Sequence, residues 1–78
     1  MLNPQSIVRV HFVRNGPAYL PELDAYVDFI TSQGHQALVH DTGASVPTHA
    51  QVVWWMCGRV SATETRRLKT AFHIHEYA

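Results

Sequence analysis

Six histidines are the residues of this 78-residue chain best suited to chemistry near neutral pH: His11, His35, His40, His49, His73 and His75. Imidazole changes charge close to physiological pH, ligates metals as the neutral ring, and donates or accepts hydrogen bonds. Spacing decides which of these is open to them. His73 and His75 stand two apart, so in a strand they share a face and could hold a metal with a third ligand. No third ligand is adjacent in sequence and no Cys–His spacing supports zinc, so no metal site is expected. His73 reads as a half-buried strand residue. His75-Glu76 falls at the carboxyl end of its strand, where His75 is placed to exchange a proton or to hydrogen-bond a hydroxyl group.

Asn15-Gly16-Pro17 forms the second candidate, a loop directly after an apolar strand. Ligands of open parallel sheets bind at the carboxyl ends of strands, so the position suits a binding loop. It matches neither G-x-G-x-x-G nor a P-loop, which excludes a nucleotide-phosphate cradle of those kinds. Trp54-Trp55-Met56-Cys57-Gly58 is the third. Neighbouring strand residues point to opposite faces, so the tryptophans pack into a core instead of forming one stacking platform. Gly58 would let a ligand or loop approach closely. Cys57 has no flanking activator and reads as a buried packing residue. Arg59, Arg66, Arg67 and Lys69 read as a solvated helix end complementing the helix dipole.

These candidates depend on the elements that carry them. Ile7–Val13 alternates, with Val8, Val10 and Phe12 on one face and Ile7, Arg9, His11 and Val13 on the other. Arg9 and His11 mean that their face is only partly covered or meets a polar site. Pro21 and Glu22 suit a helix's first turn, and Leu20, Leu23, Val27 and Ile30 mark its apolar face. Gly34 stands where a left-handed C-cap is expected. His35–Asp41 is a second strand. Thr42–Ala50 is short for a helical crossover, so it either crosses as a loop with one helical turn or leads into an antiparallel third strand. Gln51–Gly58 reads as a central strand buried on both faces. Ser61–Lys69 reads as a short helix with a Ser61/Glu64 capping box and Ala62 and Leu68 as anchors. Thr70–Tyr77 resumes as a strand with His73 and His75 on one face and Phe72, Ile74 and Glu76 on the other. The expected fold is one α/β domain over residues 1–78, a small Rossmann-like open sheet of about four mainly parallel strands with two helices.

Composition sets outer bounds. Six acidic residues balance six basic ones, which removes the whole-surface basic field of a nucleic-acid binder. Low net charge in a small domain with two tryptophans favours self-association or a partner domain. The single cysteine excludes an internal disulfide. No apolar run approaches the roughly 18–20 residues of a membrane span, and the amino terminus lacks the pattern of a signal peptide, so a cytoplasmic location is expected. The chain stops directly after a strand, which suggests a fragment of a larger protein.

Taken in order, S-Q-G-H-Q-A-L-V-H, A-Q-V-V-W-W-M-C-G and K-T-A-F-H-I-H-E-Y-A resemble the successive strand passages in the N-terminal half of GT-B glycosyltransferases, over nearly the whole of residues 7–78. The resemblance implies a two-domain enzyme with Rossmann-like halves that moves a sugar from a nucleotide-sugar donor to an acceptor in the cleft between them. This chain would be the acceptor-side half, inactive alone. A missing C-terminal domain would bind the nucleotide sugar, and no cofactor or metal is implied here. By position, Gly16 with Asn15 lies in the cleft loop, Gly58 ends the third strand, and His75 matches the family's strand-closing histidine and is the candidate catalytic residue. Glu76 stands where aspartate is frequent. The alternative is a free-standing α/β binding or dimerisation module without catalysis, using the Arg9/His11 and His73/His75 surfaces.

Overall fold

The structure is a computed structural model that describes residues 7–14, 16, 20–56, 60 and 62–76. In chain order these form β1 (Arg9–Val13), α1 (Pro21–Ser32), β2 (Gln36–His40), a 3-10 turn at Gly43–Ser45, β3 (Val52–Trp55), α2 (Ala62–Arg67) and β4 (Phe72–His75). The strands make one sheet in the order β2-β1-β3-β4, and each neighbouring pair is parallel. This is the α/β open sheet with two helices that the sequence predicts. It also settles the direction of β3: the chain crosses from β2 to β3 as a loop carrying one 3-10 turn.

The helix α1 has defined ends. Leu20 is its extended N-cap residue, Pro21 fills the first helical position, and Glu22 and Asp24 lie in the first turn, where the helix dipole favours acids. At the other end Gly34 adopts φ +84°. Its N–H donates to Thr31 O at 3.0 Å, and His35 N–H donates to Ile30 O at 3.2 Å. That pair of bonds is the Schellman arrangement, which a residue with a Cβ enters at a cost. His35 is then positioned to accept the Val8 N–H on Nδ1 at 3.0 Å, tying the helix exit to the start of β1.

The sheet is packed differently on its two faces. On the first, α1 lays Leu23, Tyr26, Val27 and Ile30 onto Val10, Phe12, Ala37 and Trp54. On the second, the crossover and the segment after α2 bring Val46, Ala50 and Leu68 onto Val13, Val53 and Trp55. The two tryptophans thus serve opposite faces, as strand alternation requires. Leu68 is fully buried, but Ala62 is exposed and anchors nothing, contrary to the sequence expectation. Leu68 and Ala71 instead seat this segment, while Arg67 ties it to the crossover by donating to Gly43 O at 2.8 Å. Ser61, and with it the expected capping box, lies outside the described residues; Glu64 accepts from Arg67 at 3.0 Å.

Among the described residues the first face is only half covered. Phe72 on β4 is 67% exposed, because α1 sits over the β2-β1-β3 side. No helix among the described residues is long and apolar enough to cross a membrane.

Candidate functional site

Parallel pairing brings the carboxyl ends of all four strands to one edge of the sheet. Gly16 follows β1 there, and His75 and Glu76 close β4. Since β1 and β4 are separated by β3, Gly16 and His75 belong to strands about 10 Å apart across the sheet. Asn15 and Gly58 lie outside the described residues, as does Cys57. Gly16 adopts φ +80°, with nothing within 4 Å of where a Cβ would stand. Its N–H donates to Asp41 O at 2.8 Å, so the loop after β1 is held against the end of β2. Arg14 reinforces that junction through Asp41 at 2.8 Å. The α1 helix packs on the first face and Leu68, after α2, on the second, the arrangement in which open parallel sheets bind ligands at the carboxyl edge.

His75 and Glu76 project to opposite faces. His75 is exposed and closes an aromatic ladder with Trp55, 6.4 Å between ring centroids, and His73, 6.1 Å. Below it His73 is fully engaged: Trp55 Nε1–H donates to His73 Nδ1 at 3.0 Å, and the opposite ring nitrogen donates to Leu68 O at 3.0 Å. Both bonds require the neutral ring with its proton on Nε2. His73 is therefore structural, while His75 stays open to a ligand at the edge. Glu76 accepts from the Tyr26 hydroxyl at 3.2 Å. That bond is the first cause holding the Tyr26 phenol above its ordinary range, followed by burial and by the charges of Glu76 and Glu22.

A second polar assembly joins residues that sequence alone leaves apart. His11 Nδ1 lies 2.9 Å from His40 Nε2, and His40 Nδ1 lies 2.7 Å from Ser45 Oγ. Ser45 donates to Thr42 O at 3.3 Å. Its oxygen therefore accepts from His40 Nδ1–H, which leaves His40 Nε2 to accept from His11 Nδ1–H. The assignment leaves a lone pair on His11 Nε2, and that nitrogen has no hydrogen-bond partner among the described residues. His11 is only 4% exposed. Burial is the first reason its basicity falls below the ordinary histidine range, with His40, His49 and Arg9 adding positive charge; burial lowers His40 as well. The signal for this pair was alternation: His11 and His40 both occupy positions on the second face. Only the register, with Val13 opposite His40, sets them diagonally adjacent.

No three histidine, cysteine, aspartate or glutamate side chains converge to hold a metal among the described residues. Compared with known proteins, the chain matches no family model, no curated protein and no solved structure.

Proposed function

We propose that this chain is the N-terminal, acceptor-side half of a GT-B-type glycosyltransferase, inactive until a second domain brings the nucleotide-sugar donor. One observation carries the reading. The glycine loop after β1 and the His75-Glu76 end of β4 finish at the same edge of an all-parallel sheet, where such folds bind their ligands. Within that reading His75, exposed at the edge, hydrogen-bonds or deprotonates an acceptor hydroxyl. Gly16 shapes the cleft wall, the resemblance assigns Asn15 and Gly58 to the same cleft, and Glu76 holds Tyr26 at its side. The test is an amide NMR titration of the chain with methyl glucoside, lactose and UDP-glucose. Glycosides should shift the amides of Gly16, His75 and Glu76, whereas UDP-glucose should leave them unmoved and unhydrolysed. Turnover of UDP-glucose by this chain alone would refute the reading.

The second reading, a free-standing binding or dimerisation module, draws on Phe29 and Phe72, which are 62% and 67% exposed. Both side chains offer aromatic surface to a partner. The gene's reading frame separates the two: a second Rossmann-like half downstream supports the enzyme, and a stop codon supports the module.

A further inference from the structure

The loop crossover leaves part of the second sheet face without a covering element among the described residues. There a groove of about 630 Å³ lies over the amino-terminal halves of β1 and β2, away from the carboxyl edge, with the crossover as one wall. Its chemistry is one-sided. Arg9, His11 and His49 supply charged or protonatable groups, Ile7 and Leu38 supply apolar surface, and no carboxylate of the described residues lines it. Arg9 is fixed by two bonds: its backbone N–H donates to Gln51 Oε1 at 3.3 Å, and its Nε donates to Gln36 Oε1 at 2.8 Å. The two terminal amino groups of the guanidinium have no partner among the described residues. The buried His11, whose Nε2 is bare, lines the same groove. This nitrogen can take up a proton while Nδ1–H keeps its bond to His40, so the His11–His40–Ser45 chain tolerates a charged His11 once a counter-charge arrives.

We propose that this groove binds a phosphate monoester. Its phosphoryl oxygens are met by Arg9, His49 and His11, and its organic part lies on Ile7 and Leu38. A guanidinium with free terminal N–H groups matches phosphoryl geometry, and donors from both β1 and the crossover suit a tetrahedral group with several oxygens better than a flat carboxylate. The groups facing His11 are Arg9, His40 and His49, all neutral or cationic. The dianion supplies the missing negative charge, so binding places a proton on His11 Nε2.

Calorimetry and amide NMR with phenyl phosphate, inorganic phosphate and benzoate test this. Phenyl phosphate should shift the Arg9, His11, Leu38 and Gln51 amides and bind at least about ten-fold more tightly than either other probe. Proton uptake should appear as a buffer-dependent heat, and affinity should rise as pH falls from about 8 to about 7, a range in which the phosphoryl group remains largely dianionic. Arg9→Gln, at an exposed strand position, should weaken binding at least about ten-fold. His49→Gln should weaken it less and leave the proton uptake in place. Equal binding of inorganic phosphate would overturn the monoester assignment, and equal binding of benzoate the phosphoryl one. Absence of binding, unchanged affinity in Arg9→Gln, or heat independent of the buffer would overturn the proposal.

Discussion

Gly43→Ala is the sharpest test of how the second face is packed. A Cβ at Gly43 would stand 2.8 Å from Cη2 and 2.9 Å from Cζ3 of Trp55, and 3.3 Å from Glu64 Oε2. Carbon atoms in good contact sit about 3.5–4.0 Å apart, so roughly 0.7 Å must be found between the turn and the indole. The ring has little freedom to provide it. Trp55 is 6% exposed, its backbone is paired on both sides, and its Nε1–H is held by His73. The turn is held in its place by the Arg67 bond to Gly43 O. Overpacking of this kind costs about 1–3 kcal/mol. The backbone at Gly43 has no positive φ, so alanine also recovers about 0.4–1 kcal/mol by stiffening the unfolded chain. The net loss is about 0–2.6 kcal/mol, centred on about 1.3 kcal/mol, against a total of on the order of 4–12 kcal/mol for a domain this size.

Thermal unfolding followed by near-UV circular dichroism reads this directly, since Trp55 is itself a reporter. A midpoint lower by about 5–15 °C is expected. The double variant Gly43→Ala/Trp55→Phe should lose at least about 1 kcal/mol less than the two single losses combined, because phenylalanine lacks the clashing atoms. A Gly43→Ala protein as stable as the parent, or a double variant with additive losses, would refute the tight contact between turn and indole.

Two further outcomes follow from the histidines. His73→Phe keeps the ring volume but orphans the Trp55 N–H; Leu68 O retains the Ala71 N–H. A urea midpoint corresponding to about 1–3 kcal/mol of lost stability is expected, and an unchanged midpoint would show that the N–H finds water. His11 and His40 are both held below the ordinary histidine range in the folded chain. The unfolded state therefore takes up protons first as pH falls below about 6.5, and stability should decline from there down to the folded-state values and be insensitive to these groups above it. His40→Gln, which can keep bonds to both neighbours, should flatten that slope between about pH 7 and about pH 5. An unchanged slope would place the acid sensitivity elsewhere.

The parts of the fold legible in sequence are those set by local rules. Pro21, the Leu23–Val27–Ile30 stripe and Gly34 each act through their own backbone or their own face, so α1 is bounded to the residue at its start. The alternation of Ile7–Val13 separates Phe12 from His11 without knowledge of any neighbour. Register and crossover geometry are different, because they depend on pairing partners far along the chain. Hence the direction of β3 stayed open, the His11–His40 bond was invisible, and Ala62 passed for an anchor although Leu68 and Ala71 do that work. At the candidate site, His75 at the strand end was legible from position, whereas the engagement of His73 by Trp55 and Leu68 required both β3 and the α2 segment.

The eleven residues between β2 and β3 account for most of what distinguishes the two faces. A helix in that connection would stand about 10 Å above the sheet and shield β1 and β2 with its side chains. A loop with one 3-10 turn instead lies close on Trp55, an approach that Gly43 permits through its missing Cβ. Its apolar residues Val46 and Ala50 are then spent over Val13 and Val53, so nothing is left to cover Leu38 and Arg9. The same economy of chain that needs glycine at position 43 leaves the groove open. Loosening the turn by Gly43→Ala should therefore disturb Trp55 and its ladder to His75 more than the Arg9 groove, since the atoms nearest the added Cβ belong to Trp55 and Glu64. Amide shifts in that variant that centre on Arg9 and Leu38, with Trp55 and His75 unmoved, would show that the crossover moves as one rigid piece.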